Sequence, residues 1–156
     1  MKYFGIGFFF LLCIFAGSIK IYQALANRTS VIEAKAAKLQ LGKLEVQLEI
    51  AQNEEQWKRG LSNRAQLEKN QGMLFIFPKT GIYDFWMKGT RFPLDILWVN
   101  QGEVVDMVTL PAEVIGQEPA RYSPLVVADR VVEISAGLAK QQGIGIGSKI
   151  PILLYK

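Results

Sequence analysis

The stretch Lys43-Leu-Glu-Val-Gln-Leu-Glu-Ile50 decides the fold class, because its apolar and polar residues alternate. In an extended chain the four apolar side chains fall on one side and the four polar side chains on the other. This period of two predicts a half-buried strand. A globular domain therefore begins near Lys43, and it begins with β structure.

Further segments predict strands by their content of β-branched and aromatic residues. They span residues 72–78, 85–88, 94–99, 103–110, 126–135 and 149–155. The turn at Asn100-Gln101-Gly102 predicts a hairpin between the strands on either side of it. Pro151 favours an edge position for the last strand, because proline has no N–H to donate.

Helices are short in this interpretation. Asn53 with Gln56 has the spacing of a helix start, and the helix runs to Gly60. Residues 137–142 predict about one further helical turn. The fold class is therefore mainly β (α+β): a compact barrel or a strongly curved mixed sheet with two or three short helices.

Residues 3–19 contain no charged side chain and lie between Lys2 and Lys20. As a helix they would span roughly 26 Å, the short end of a bilayer crossing. The small residues of Ala24-Leu25-Ala26 would suit cleavage after Ala26. Residues 1–26 are therefore predicted to be a signal peptide or a membrane anchor, and both interpretations stay open.

The orientation of this leader rests on two opposing signals. Lys20, Arg28, Lys35 and Lys38 follow the apolar segment, and the positive-inside rule would keep the following chain in the cytoplasm. Leaders of this shape are usually export signals. We favour a domain on the periplasmic or extracytoplasmic side. Residues 27–42 are predicted to be a helical stalk or linker, and residues 43–156 the globular domain.

Composition excludes several kinds of site. The chain has no histidine, and its one cysteine, Cys13, lies in the leader. A Ser-His-Asp triad, a Cys-His dyad and a zinc site with the usual nitrogen and sulfur ligands are therefore excluded. After the first 26 residues the chain has 16 basic and 14 acidic residues, which gives no basic stripe for nucleic acid. No cofactor or metal is predicted.

Two carboxylates lie in unusually apolar strands. Asp95 sits between Leu94 and Ile96, and Glu133 sits within the run of residues 131–134. A carboxylate in such a strand needs a partner, because burying it alone is costly. Lys88 is the candidate partner, with arginines behind it at positions 59 and 91.

The segment of residues 85–98 brings further polar side chains to this region. In an extended chain Trp86, Lys88 and Thr90 would share one face. The functional interpretation is a ligand pocket with an aromatic wall and a lysine with two carboxylates at its base. The structural interpretation is an ion pair that fixes strand register. The hypothesised ligand-binding residues are Arg59, Trp86, Lys88, Thr90, Asp95 and Glu133.

The chain resembles the domain-of-unknown-function 192 family of small, often exported prokaryotic proteins, over residues 44–154. The resemblance is carried by Arg59-Gly-Leu61, Arg64 with Leu67, Gly72-Met-Leu-Phe-Ile-Phe-Pro78, Phe85-Trp-Met-Lys-Gly-Thr90, Pro93-Leu-Asp-Ile96, Val132-Glu-Ile134 with Gly137, and Gly143-Ile-Gly-Ile-Gly147. The resemblance implies a small barrel-like β domain and places Trp86, Lys88, Thr90, Asp95 and Glu133 in the family pattern. Ser62 and Gly89 depart from that pattern, where methionine and asparagine are usual. The family has no established reaction.

Three functions remain open. The favoured one is an envelope domain, without catalytic residues, that binds a small polar ligand or a partner protein. The second is an envelope hydrolase with Asp95 and Glu133 as acid and base. The third is a purely structural accessory protein, which would show an exposed apolar patch and no pocket.

Overall fold

The computed structural model describes residues 36–155, so the predicted leader and the first part of the stalk lie outside the described residues. The strands of the described part are β1 (Ala36–Leu41), β2 (Leu44–Ala51), β3 (Gln71–Gly81), β4 (Phe85–Trp86), β5 (Leu94–Asn100), β6 (Glu103–Leu110), β7 (Arg121–Tyr122), β8 (Ala128–Ser135) and β9 (Ile152–Tyr155). Its helices are α1 (Glu54–Arg59) and α2 (Leu138–Gln141). None of these helices is long and apolar enough to cross a membrane.

Seven strands form one mixed sheet in the order β6-β5-β8-β3-β2-β1-β9, and β4 pairs with β7 apart from it. Strands β2 and β3 run parallel, whereas the other neighbours run antiparallel. The predicted mixed sheet with short helices is confirmed, and a closed barrel is wrong. Residues 102–104 and the segment 147–150 before β9 are joined by an isolated bridge between Glu103 and Lys149 and by three backbone hydrogen bonds, but no continuous ladder joins β6 to β9.

The end of the predicted stalk is a strand rather than a helix. In β1, Ala37, Leu39 and Leu41 are fully buried, and the strand lies between β2 and β9. Its alanine-rich composition favours a helix, but burial of every second side chain in the sheet outweighs that local preference. Gly42, with φ of 57°, forms the turn from β1 into β2.

The short elements follow their local sequence signals. The Asn53 side chain caps α1 by accepting a hydrogen bond from the backbone N–H of Gln56, at 3.0 Å. Gln101 and Gly102 both have positive φ, 51° and 78°, as a tight two-residue hairpin turn requires. The predicted α1, the β5–β6 hairpin and the edge position of β9 are therefore confirmed.

The large sheet carries a hydrophobic core on each face, because successive side chains of a strand point to opposite faces. On the first face Leu74, Leu97 and Ile134 pack with Ala139 of α2. On the second face the core includes Phe75, Ile96, Trp98 and Val131, and Trp57 of α1 packs against it. The central strand β3 is buried on both faces, which explains its unbroken apolar run.

Candidate ligand-binding cavity

The second face of the sheet holds a cavity of about 460 Å³. Six aromatic side chains line it: Trp57, Phe75, Phe77, Tyr83, Phe85 and Trp86. The rings of Phe77 and Tyr83 are stacked, with centroids 3.6 Å apart and planes 9° from parallel. Phe75 and Phe85 meet edge to face at 4.8 Å. These rings give the cavity flat apolar walls of the kind that bind small organic molecules.

Glu133 is the unusual polar group of this cavity. Its side chain lines the cavity but is only 4% exposed, and its Oε2 atom has no hydrogen-bond partner in the described part of the chain. Burial raises the pKa of the Glu133 carboxyl to about 8, and the positive charge of Arg64 opposes this rise. Because burial disfavours the ionised form, the Glu133 carboxyl is mostly protonated at neutral pH.

The position of Glu133 follows from strand pairing. On β8 it lies opposite Met73 of β3 and Ile96 of β5, and it faces the second core together with Val131. Helix α1 ends at Arg59, and the next residue, Gly60, lies over this carboxyl with φ of 47°. A β-carbon at Gly60 would lie 3.9 Å from Oε2 of Glu133, so the chain passes close above the carboxyl.

A second hollow of about 540 Å³ adjoins the aromatic cavity. Lys58, Arg59, Ser62 and Trp86 line both and form the boundary between them. Lys88 lines the second hollow, and its Nζ atom lies 5.2 Å from the centroid of the Trp86 ring. Two cationic side chains, Lys58 and Arg59, therefore lie at the boundary, and Lys88 lies in the second hollow, which Glu55 and Glu113 also line.

Backbone contacts hold this boundary in place. The Ser62 hydroxyl donates to the carbonyl of Lys88 at 2.8 Å, and the N–H of Glu113 donates to the carbonyl of Thr90 at 2.8 Å. The N–H of Gly89 donates to the Glu113 carboxylate at 2.9 Å. Thr90 is buried and lines the aromatic cavity. The loop between β4 and β5 is therefore fastened to neighbouring segments on two sides.

Asp95 lies on the opposite face of the sheet from Glu133. Although Asp95 pairs with Ile134 and Ile96 pairs with Glu133, adjacent residues of a strand point to opposite faces. The Thr109 hydroxyl donates to Oδ1 of Asp95 at 2.7 Å, and the N–H of Ala139 donates to Oδ2 at 3.0 Å. Asp95 therefore ties α2 to the sheet.

This arrangement corrects two expectations. The two carboxylates cannot serve as acid and base on one substrate, because the sheet lies between them. Lys88 is not the partner of either carboxylate: hydrogen bonds from Thr109 and Ala139 satisfy Asp95, and Oε2 of Glu133 has no partner among residues 36–155. Within residues 36–155, acidic and cysteine side chains do not form any group of three or more that could hold a metal ion.

The structure divides the six hypothesised residues into three groups. Arg59, Trp86, Thr90 and Glu133 line the aromatic cavity. Lys88 lines the adjoining hollow, and Asp95 belongs to neither. The sequence interpretation missed most of the aromatic lining, because these residues come from a helix, from strands and from a loop that are far apart in the sequence and share no pattern. The missed aromatic residues are Trp57, Phe75, Phe77, Tyr83 and Phe85, and Lys58 and Lys79 at the rim were also missed.

Comparison with known proteins identifies the family. The family model DUF192, described as "Uncharacterized ACR", matches residues 37–152, which is most of the chain. The chain therefore belongs to the domain-of-unknown-function 192 family. No curated protein matches it.

Two solved structures share the fold. A protein from Sinorhizobium meliloti 1021, described as a "putative transcription regulator", is 27% identical, with a TM-score of 0.64 over 74% of this chain and 91% of that one. A protein of unknown function from Novosphingobium aromaticivorans DSM 12444 is 26% identical, with a TM-score of 0.64 over 74% of this chain and 83% of that one.

The two departures from the family pattern lie against each other. A β-carbon at Gly89 would be 3.1 Å from the β-carbon of Ser62. Gly89 has φ of 73°, a value that asparagine tolerates better than most residues. The pair therefore leaves only the hydroxymethyl group of Ser62 at this point of the second hollow.

Proposed function

We propose that this domain binds a small molecule in the aromatic cavity and recognises a polar group of that molecule through Glu133. The observation that carries the proposal is the buried carboxyl whose Oε2 has no hydrogen-bond partner in the described residues. Leaving a buried polar group unpaired costs about 1–3 kcal/mol, so a ligand that supplies the missing partner gains that amount.

Binding is a better explanation than catalysis. An acid–base pair needs two groups that reach one substrate, and Asp95 is separated from the cavity by the sheet. A purely structural accessory protein would need no cavity with a buried ionisable group. A partner protein is less well matched than a small molecule, because Glu133 is 4% exposed and lies below the surface that a protein would contact.

The test is a fragment titration of the full-length chain followed by NMR. Indole, quinoline and related planar fragments at millimolar concentration are expected to shift the amide signals of residues that line the cavity. Trp86→Ala should weaken this binding about tenfold, because the half-exposed indole contributes one wall. Leu125→Ala is the matched control, because Leu125 is 94% exposed and lines neither hollow.

Two results would reject the proposed function. The first is that no fragment shifts the signals of the cavity residues at concentrations that saturate ordinary fragment sites. The second is that Trp86→Ala and Leu125→Ala change the affinity equally, since binding would then lie elsewhere.

We also propose that the domain works in the cell envelope, on the extracytoplasmic side of a membrane to which residues 3–19 direct it. The support is the uncharged 17-residue segment between Lys2 and Lys20. Protease added to intact spheroplasts should degrade the domain, whereas a cytoplasmic control protein should survive. Protection of the domain until the spheroplasts are lysed would reverse the proposed orientation.

A further inference from the structure

We infer that the ligand of the cavity is an organic anion built on a flat ring. The ring lies among the aromatic walls, an uncharged acceptor atom receives a hydrogen bond from Glu133, and the anionic group lies at the boundary with the second hollow. This inference rests on the proposed function, because it names the class of molecule for the same cavity.

The walls select the shape of the ligand. The stacked rings of Phe77 and Tyr83 form a double layer, and Trp57 lies beside it with its centroid 5.3 Å from that of Phe77. Such rings pack against another planar ring by offset or edge-to-face contact. A branched or strongly hydrated molecule would leave part of this apolar surface uncovered.

Glu133 selects the polar group inside the cavity. A protonated carboxyl presents one O–H donor, and Oε2 is without a partner in the part of the chain that the structure describes. The partner that fits a neutral acid is an acceptor such as a ring nitrogen or a carbonyl oxygen. No charge then has to form in the apolar interior, where it would be costly.

The boundary selects the sign of the ligand's charge. Lys58 and Arg59 line both hollows, and Lys88 lines the outer one. Glu55 and Glu113 also line the outer hollow, and the Glu113 carboxylate accepts a hydrogen bond from the N–H of Gly89 at 2.9 Å, so three cations face two carboxylates there. The acidic neighbours of Lys58 and Arg59 on α1, Glu54 and Glu55, are 80% and 88% exposed and pair at 3.5 and 3.7 Å. Exposed pairs of this kind are weak, so these cations can turn to an anionic ligand at little cost.

A cationic ligand is disfavoured at Trp86, because protein cations already lie over its ring. The ring of Trp86 is already approached by Lys88 at 5.2 Å and by Arg121 at 5.4 Å. Cations that lie over an aromatic ring occupy the surface that would attract another cation, and they repel it. Lys79 and Asp84, which also line the cavity, contribute one charge of each sign and do not alter this balance.

The test compares four related probes by NMR titration of the full-length chain. Quinoline-3-carboxylate carries both the ring nitrogen and the anionic group. Its carboxamide lacks the charge, quinolin-3-ylmethanamine reverses the charge, and naphthalene-2-carboxylate lacks the ring nitrogen. We expect quinoline-3-carboxylate to bind most tightly, and each of the others to bind about fivefold more weakly or worse.

Variants of the protein separate the two contacts. The double variant Lys58→Gln with Lys88→Gln should bind quinoline-3-carboxylate about fivefold more weakly than wild type does. Lys140→Gln should not change the affinity, because Lys140 lies on α2, which packs against the other face of the sheet. Glu133→Gln should keep most of the affinity, because the amide N–H still donates. Glu133→Leu should lose about tenfold, because it removes the donor.

The outcomes distinguish the failure of this inference from the failure of the proposed function. If the amine probe binds most tightly, or if Glu133→Gln abolishes binding of the carboxylate, the ligand class is wrong and the cavity remains a binding site. If no probe shifts the signals of the cavity residues, the proposed function and the ligand class are both wrong.

Discussion

Asp95 and Glu133 occupy neighbouring strands, and both are buried, but they lie on opposite faces of the sheet and in opposite chemical situations. Hydrogen bonds from Thr109 and Ala139 satisfy Asp95. Oε2 of Glu133 has no partner within the described residues, and burial raises the pKa of that carboxyl to about 8. The hydrogen-bonded carboxylate of Asp95 therefore stabilises the fold, because it joins β6 and α2 to β5. The carboxyl of Glu133 is instead available to a ligand.

Removal of the Asp95 carboxylate should have the largest effect on stability. Asp95→Ala leaves the buried N–H of Ala139 without an acceptor and releases the Thr109 hydroxyl, so we expect a loss of about 3 kcal/mol in unfolding free energy. Urea denaturation of wild type, Asp95→Ala and Asp95→Asn measures this loss. The asparagine variant should lose less, because its amide oxygen still accepts. A loss below about 1 kcal/mol for Asp95→Ala would mean that Asp95 does not hold α2.

Glu133→Gln should act in the other direction. The folded-state pKa of about 8 lies above the ordinary glutamate pKa of 4.5, so the folded chain holds this proton more tightly than the unfolded chain does. The unfolding free energy therefore falls as the pH rises from about 4.5 to about 8, and the stability associated with this proton is lost across that window.

Glu133→Gln removes this dependence, because the amide does not titrate. We expect the variant to gain about 2 kcal/mol relative to wild type between pH 5 and pH 7. Denaturation curves of both proteins at several pH values measure the gain. Parallel pH profiles for the two proteins would show that Glu133 is ionised in the folded state and has an ordinary pKa.

Arg64→Gln should have the smallest effect. Arg64 forms a two-pronged ion pair with Glu49, and its charge also lowers the pKa of Glu133. Loss of that charge should raise the Glu133 pKa only slightly, because burial and not the charge of Arg64 is the larger influence on this carboxyl. Carbon NMR of the Glu133 carboxyl during a pH titration measures the change. Arg91→Gln, an exposed substitution, is the control, and an equal change in both variants would exclude a specific influence of Arg64.

The sequence predicts the secondary structure of this domain better than it predicts the site. Alternation in β2, the Asn53 cap and the 100–102 turn are local signals, and local hydrogen bonds or burial decide them. Strand β1 was missed because its composition favours a helix and only pairing with β2 and β9 makes it a strand.

For the site, the sequence reveals which polar residues are buried but not what surrounds them. Thr90, Asp95 and Glu133 are the buried polar or charged residues among those described. Asp95 and Glu133 stand out in the sequence as carboxylates within apolar runs, whereas Thr90, between Gly89 and Arg91, does not. Which of these residues share a site depends on the face of the sheet to which each side chain points and on the loop that covers that face. Such long-range geometry separates Asp95 from Glu133 and adds Trp57 and Tyr83 to the cavity.

Helix α1 forms one wall of the cavity, yet none of its six residues is buried. It is attached through the indole N–H of Trp57, which donates to the carbonyl of Ala51 at 3.0 Å, and through Leu61 just beyond it. Segments with so little buried surface open at a small fraction of the global unfolding free energy. In native-state deuterium exchange, the amides of α1 should therefore lose protection well before those of β3 and β8. Opening of α1 would then let a bound molecule leave without unfolding the sheet.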